Sequence, residues 1–433
     1  MEKQKPRAIL HSDANCFYAS CEMVLNPSLR DKPVAVCGSQ EDRHGIVLAK
    51  SELAKKCGIT TGMTNREALS RCPNLVIVPP RFEYYSKFSK LLHEIYGRYT
   101  DLIEPFGLDE CWLDVTDSIK SPMEIAEEIR QAVKDELGLT VSIGVSFNKA
   151  FAKLGSDMKK PDAITEITPE NFRVKVWPLP CSDLLYCGRA TSAKLEACNI
   201  TTIGKLAMLP RDIIESKLGK NGGMLWDFAN GLDNSPVAHK DRRVPPKSIS
   251  HGITCVENLV NYEEVEKVII KLSQDVGYKL RQEKMCARGV SLSVKDEKLN
   301  YFSFQERLEK EVQDESRIAK AVCELFKKSY RWFFNVRAIT VGAISLVPEG
   351  DAIQIDIFND YSKDEKRKKL FATIDQINDT YGKRSIQPAT VLDEKKMPIP
   401  KSTHTPENEF DNPISDIEVK LPGMFYRGEK DKK

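Results

Sequence analysis

Nowhere in the 433 residues is there an apolar run close to the roughly 18 that a membrane-crossing helix needs, so a spanning helix is not expected. Charge returns too soon after Met1 for a secretory signal, and the expected location is the cytoplasm. The 12 cysteines contain no C-x-x-C pair, which removes the common zinc and dithiol spacings. Several lie in apolar runs such as Pro33-Val-Ala-Val-Cys37, where a reduced thiol behaves as a small buried hydrophobe. No internal repeat is found. Net charge is also scarce: 65 basic against 63 acidic residues leave +2, so overall charge gives no reason to expect a polyanionic partner.

What is present is an ordinary globular composition, 41% hydrophobic and 30% charged, long enough for about two to four domains. Charge is uneven locally. Four lysines against Asp157 fall between positions 149 and 160, and two lysines and two arginines against Asp241 between 240 and 247. Such runs are commonly solvated faces and need a motif before they mean nucleic acid.

Short apolar runs at 8 to 13, 33 to 37, 45 to 49 and 75 to 78 predict strands. Phe88, Leu91, Leu92, Ile95, Tyr96 and Tyr99 share one helical face, and Ser121-Pro122 followed by Glu124 starts a helix that Gly138 stops. A strand over 140 to 147 follows. From 177 to 233 short helical pieces predict a small helical domain, and the proline-rich basic stretch 234 to 247 an extended linker. Strands at 290 to 294 and 338 to 346, with helices near 262 to 281 and 315 to 329, predict an α+β domain. Beyond Val347 the chain reads as a polar tail with an apolar knot at 354 to 358 and a helix near 363 to 380.

Asp13 closes the first strand, and Asp109-Glu110 follow Gly107. Successive strand residues face opposite sides, so Asp109 and Glu110 converge only if one of them lies in a turn, and Gly107 is consistent with a hairpin there. If the first strand pairs beside that hairpin, three carboxylates meet. Such a cluster calls for divalent cations, and oxygen-only donors favour Mg2+ or Mn2+ over zinc. The residues alone leave a second reading open, in which the acids stand solvated at strand ends.

Four ordered segments then bear on the choice: His11-Ser-Asp-Ala-Asn-Cys-Phe-Tyr-Ala-Ser-Cys-Glu22, Leu25-Asn-Pro-Ser-Leu29, Leu108-Asp-Glu-Cys-Trp-Leu-Asp-Val-Thr116, and Gly144-Val-Ser-Phe-Asn-Lys-Ala-Phe-Ala-Lys-Leu-Gly-Ser-Asp-Met-Lys-Lys-Pro161. They closely resemble the Y-family translesion DNA polymerases, bacterial DNA polymerase IV/V type. With Lys247-Ser-Ile-Ser-His-Gly-Ile-Thr254 the likeness covers about the first 350 residues.

The resemblance implies an α+β multidomain fold of right-hand form. Its expected parts are a ferredoxin-like palm (1–16 and 80–168), fingers (17–79), a helical thumb (169–235), a linker (236–246), an α+β little finger (247–348) and a tail (349–433). It implies Asp13, Asp109 and Glu110 as catalytic carboxylates and ligands of two Mg2+ ions, with the Ala14 carbonyl completing one site and Mn2+ as a possible substitute. Asp114 and Asp117 are expected to be structural. Tyr18 is the expected steric gate under the deoxyribose, with Phe17 supporting it. Lys160 and Lys55 are expected at the triphosphate. Many members have Tyr-Glu-Ala-Arg where this chain has Glu52-Leu-Ala-Lys55, which would lose a bidentate grip, leave Glu52 to turn away or pair with a lysine, and lean toward the polymerase V branch.

Helix-hairpin-helix contacts to primer-template DNA are expected at Gly188, Arg189 and Gly204, with Lys247 at the entry to the little finger, although Tyr186 stands where the first hairpin has a glycine. Gln354, Ile355, Asp356, Ile357 and Phe358 resemble the peptide that binds the bacterial sliding clamp. The partners implied are primer-template DNA, dNTPs and that clamp, with no membrane and a monomeric protein. The alternatives are a catalytically silent clamp-bound adaptor on the same fold and a metal-dependent nuclease.

Overall fold

The computed structural model describes residues 6–39, 41, 43, 45–350, 361–382 and 385–398. The expected clamp peptide, 354–358, lies outside them. The described residues divide into two compact units: those up to Gly38 and Ile46–Arg242 in one, those of 39–45 and from Arg243 onward in the other.

In the first unit β1 (Ile9–Ala14), β5 (Ile103–Pro105), β6 (Glu110–Asp114), β7 (Val141–Ser146) and β8 (Ile164–Ile167) form one sheet in the order β5-β6-β1-β7-β8. β1 runs antiparallel to both neighbours, which makes it a central strand, and all six of its residues are buried. Three helices pack on the sheet. α4 (Phe82–Tyr96) buries Tyr85, Phe88, Leu92, Ile95 and Tyr96. α5 (Pro122–Leu137) is held at its start by a capping box between Ser121 and Glu124 and ends at Gly138, with φ 67°. α6 (Lys149–Met158) is capped by the Asn148 side chain.

Between β1 and α4 the chain builds a smaller layer. α1 (Phe17–Leu25) leads to β2 (Val34–Cys37) and β3 (Val47–Lys50), then to α2 (Glu52–Lys56), α3 (Asn65–Arg71) and β4 (Val76–Val78). The three strands pair in the order β3-β2-β4 over a separate core of Ala35, Val47, Ile59 and Leu75. After β8 come short helices α7 (Phe172–Lys175), α8 (Arg189–Ala197), α9 (Ile203–Met208), α10 (Arg211–Leu218) and α11 (Lys220–Ala229), packed around Phe151, Phe172, Leu206 and Leu225. Residues 234 to 247 hold no helix or strand.

The second unit is a four-stranded antiparallel sheet ordered β11-β10-β12-β9. It is made of β9 (Ser248–Leu259), β10 (Met285–Asp296), β11 (Tyr301–Val312) and β12 (Val336–Pro348), with α12 (Tyr262–Gln282) and α13 (Glu315–Ser329) packed on one face. The expected helices are present. β9 and β11 were not read as strands because, as edge strands, each gives only a few widely spaced residues to the core, Ile249, Cys255 and Leu259 from one and Val312 from the other, between polar and charged ones.

The polar-tail expectation is corrected for the described part. α14 (Tyr361–Tyr381) docks on α12 through Arg281 with Asp375, at 2.6 and 2.8 Å, and through Tyr278 with Asp379 at 2.9 Å. Farther on, the Val256 amide donates to the Lys396 carbonyl at 2.7 Å and Met397 is buried in the unit's core. The α14 contacts run through polar and charged side chains, with Phe371 under the Arg281 guanidinium, and the apolar residues that are buried farther on, Val391 and Met397, are isolated in the sequence and mark no period. Among the described residues no helix is long and apolar enough to cross a membrane, and all 12 cysteines are free.

Candidate functional site

The register of the central sheet builds the site. Asp13 pairs directly with Glu110 across β1 and β6, and Asp109 lies in the turn just before β6, where Gly107 takes φ 105°. The Ala14 amide donates to the Asp109 carbonyl at 2.9 Å, so the turn is fastened to the end of β1. The hairpin thus turns Asp109 toward the side that Asp13 and Glu110 share. Burial and the charges of Asp13 and Glu110 push the Asp109 carboxyl up to about 6.

Lysines of α6 and its end stand on these acids. Lys153 Nζ lies 3.2 Å from Asp13 Oδ2, 2.8 Å from Glu110 Oε2 and 3.1 Å from Asp157 Oδ2. Lys160 Nζ lies 2.8 Å from Asp13 Oδ2 and 2.9 Å from Asp157 Oδ1. Burial opposes the charge on Glu110, but His11 and Lys153 outweigh it and hold that carboxyl down at about 2. His11 is wholly buried, its Nδ1 is 2.9 Å from Ser156 Oγ, and its Nε2 is 3.4 Å from Glu110 Oε2. Neither that contact nor the one from Lys153 aligns as a hydrogen bond, so Glu110 Oε2 and His11 Nε2 are buried without one.

Among the described residues no three carboxylate, imidazole or thiol groups stand in a finished coordination shell, because Lys153 and Lys160 take up the negative charge. The donor chemistry nonetheless fits a hard divalent cation: the acids at the joined ends of β1 and β6 offer oxygen only, and one Glu110 oxygen lacks an aligned partner.

Tyr18 on α1 stacks on Tyr85 with ring centroids 4.3 Å apart and planes 12° from parallel. Phe17 is buried beside it, at 5.7 Å and a tilt. The sequence reading missed what lies behind. Glu22, buried one turn along α1, accepts from the Tyr85 hydroxyl at 2.7 Å and from Arg81, so α4 is latched to α1 behind the plate. The run Arg81-Phe-Glu-Tyr-Tyr85 was the available signal, but it has no motif value without its partner.

Glu52 pairs with Lys55 at 3.7 Å and accepts from the Cys16 thiol at 3.2 Å, the lysine pairing that its chemistry suggested. A cavity of about 320 Å³ lies between Cys16, Glu52, Thr140 and Pro161. Asn15 orders its floor, donating to Ser142 Oγ at 2.9 Å and accepting from the Asp162 amide at 2.9 Å, which steadies the loop that carries Lys160. Asp114 accepts from the Thr116 amide at 3.0 Å.

In the helical layer Gly188 and Arg189 are exposed at the start of α8. Tyr186 adopts φ 67°, the left-handed conformation that the missing glycine would take freely. Gly204 corrects an expectation: its amide donates to the Trp177 carbonyl at 2.9 Å and a Cβ there would stand 2.9 Å from Trp177 Cβ. That amide is engaged in packing α9 and is not presented to a phosphate. Lys247 is exposed just before β9.

Comparison with known proteins follows this geometry. Residues 12–157 match the model of the impB/mucB/samB family, and 246–357 match that of its C-terminal domain. A DNA polymerase IV of Acetivibrio thermocellus is 47% identical over 394 residues, 90% of this chain and 99% of that protein. One of Moorella thermoacetica is 37% identical over 390 residues, 89% and 96%. Among solved structures, a Y-family DNA polymerase chimera aligns with a TM-score of 0.71 at 23% identity, over 79% of this chain and all of the other, a likeness of fold. The names of both relatives correct the leaning toward polymerase V drawn from Glu52 and Lys55.

Proposed function

The chain belongs to the impB/mucB/samB family and is a Y-family DNA-directed DNA polymerase of the translesion type; from that premise we propose that Asp13, Asp109 and Glu110 are its catalytic carboxylates, adding dNTPs to a primer 3′-hydroxyl opposite damaged template positions. The observation that carries this reading is the register that sets Asp13 against Glu110 with Asp109 in the adjoining turn. Two Mg2+ ions held by these carboxylates and the Ala14 carbonyl would supply activation of the 3′-hydroxyl and charge for the leaving pyrophosphate. Lys160 and Lys153 exchange carboxylate contacts for triphosphate ones, and Lys55 adds charge once it leaves Glu52. Tyr18 lies under the deoxyribose. Gly188 and Arg189 hold duplex phosphate without reading sequence, as does Lys247.

The test is extension of a labelled primer on intact and lesion-bearing templates with Mg2+ and dNTPs. Bypass products support the reading, and primer shortening or absence of extension overturns it.

Two substitutions separate the nucleotide contacts. Tyr18→Ala is expected to raise ribonucleotide insertion relative to dNTP insertion at least about tenfold, because the 2′-hydroxyl gains room, as measured by paired single-nucleotide kinetics. Lys160→Ala is expected to raise KM for dNTP about ten- to a hundredfold, since a charge-assisted contact is worth about 1.5 to 3 kcal/mol. Unchanged ratios in the first assay would place the sugar gate elsewhere.

The peptide 354–358 is proposed as a tether to the sliding clamp. Tethering raises the local concentration of polymerase at the primer end without altering the active site. Ile357→Ala with Phe358→Ala removes two apolar anchors, each worth about 1.5 kcal/mol or more, so clamp affinity should fall about a hundredfold while synthesis without clamp is unchanged. Equal stimulation of variant and wild type by loaded clamp would remove this peptide from the reading.

A further inference from the structure

One end of the second unit carries an aromatic cluster that no part of the polymerase reading uses. The β10–β11 turn and the loop between α13 and β12 lie together there, joined by the Glu297 amide to the Asn335 carbonyl at 2.9 Å and by Asn335 Nδ2 to Glu297 Oε2 at 3.1 Å. Phe302 and Trp332, 37% and 40% exposed, anchor the cluster through ring contacts at 5.7 Å to the buried Tyr330 and 5.7 Å to the buried Phe326 respectively. Outside them Tyr301 is 74% exposed and Phe333 75%, with Phe334 beside them at 40%. Exposed aromatic groups of this size mark a binding surface more often than a solvated one.

The charge around the rings identifies the ligand. Lys295 Nζ stands 4.8 Å over the Tyr301 ring and Lys298 Nζ 6.0 Å over the Phe334 ring. Among the described residues neither lysine, nor Arg331 in the loop, forms an ion pair with a carboxylate. Segments 295–301 and 327–337 hold six basic residues against Asp296 and Glu297, and with Lys328 paired to Glu306 five remain against two, a local excess larger than the +2 of the whole chain. Both acids face inward: Asp296 accepts from the Lys298 and Asn300 amides, and Glu297 from Asn258 and Asn335. A protein-binding core would be depleted of charge, whereas rings interleaved with free cations match unpaired bases and their phosphates. Duplex bases are already stacked and cannot lie on these rings.

We propose that Tyr301, Phe333 and Phe334, with Lys295, Lys298 and Arg331, form a sequence-tolerant site for single-stranded nucleic acid, which for a polymerase is unpaired template. The site is far in sequence from the carboxylates and does not rest on their assignment.

The test uses the full chain, oligothymidylate of about 16 nucleotides and a blunt duplex of matched length at fixed salt. Ultraviolet cross-linking followed by peptide mapping should place thymine adducts within 299–302 or 331–334. By anisotropy, Tyr301→Ala with Phe333→Ala should weaken oligothymidylate binding about thirtyfold, about 2 kcal/mol at 1.4 kcal/mol per tenfold, and leave duplex binding unchanged. Tyr301→Phe with Phe333→Tyr keeps both rings and should bind as wild type. Adducts confined to other segments, or equal losses for single strand and duplex, would overturn the inference. So would a double alanine variant that keeps its oligothymidylate affinity and loses self-association instead, since the patch would then be a protein interface.

Discussion

Asp109→Ala and Glu110→Ala should each reduce single-nucleotide insertion about 10⁴-fold, which is about 5.5 kcal/mol at 1.36 kcal/mol per tenfold and is the scale of a lost metal-binding carboxylate. Primer-template affinity should change little, because exposed phosphate contacts elsewhere supply most of it. The two variants should part company in stability. Asp109 is buried beside two like charges and its carboxyl is raised to about 6, so above the unfolded carboxylate range its ionisation opposes folding. Removing it relieves the cluster. Glu110 is depressed to about 2, so it contributes stability at neutral pH that is lost only as pH falls toward that value. Removing it takes from the buried Lys153 ammonium the shortest of its three carboxylate contacts, at 2.8 Å against 3.2 Å for Asp13 and 3.1 Å for Asp157. Melting curves at pH 7 in chelator should therefore show Asp109→Ala at or above wild type and Glu110→Ala below it. Near-normal insertion by either variant would refute the catalytic assignment, and the reverse order of melting would refute the electrostatic account.

That opposition was only half visible in the sequence. Gly107 before Asp109-Glu110 marked a turn, and the turn proved to be what lets adjacent residues share one side. The pairing of β1 with β6, which brings Asp13 in, could be posed from sequence only as a condition, since register depends on contacts about a hundred residues apart. Lys153 was counted as one charge in a basic run. Its position on α6 makes it the ammonium between Asp13 and Glu110, which periodicity does not reveal without the helix-to-sheet packing. Glu22 lay inside a quoted motif yet had no assigned role, because its partners Arg81 and Tyr85 belong to another helix. Local signals were the dependable ones: Ser121-Pro122 with Glu124 and Gly138 bounded α5 from both ends. Gly204 shows the converse, a glycine read as a phosphate contact whose use is close packing against Trp177.

Close packing is also what puts the lysines over the carboxylates, and it can be tested at Gly144. This glycine sits mid-strand in β7, opposite His11 on one side and Thr165 on the other. α6 crosses the sheet there: a Cβ on residue 144 would lie 1.9 Å from the Ala152 carbonyl oxygen and 2.6 Å from the Ser156 amide nitrogen. Both are backbone atoms, so no rotamer change can relieve the overlap, and the helix must lift off the strand. Lifting it moves Lys153 away from Asp13 and Glu110 and separates Ser156 from His11, so packing and electrostatics are lost together. Gly144→Ala should therefore cost about 3 kcal/mol or more, the upper range for overpacking, and lower the melting temperature of the first unit by several degrees. Gly155→Ala is the graded comparison, because a Cβ there meets Gly144 Cα at 3.1 Å and the Thr165 carbonyl at 3.2 Å, contacts that a shift of a few tenths of an ångström relieves. Insertion activity should fall in the same order. If Gly144→Ala melts with wild type while Gly155→Ala does not, α6 does not approach β7 at residue 144, and the placement of Lys153 over the carboxylates falls with it.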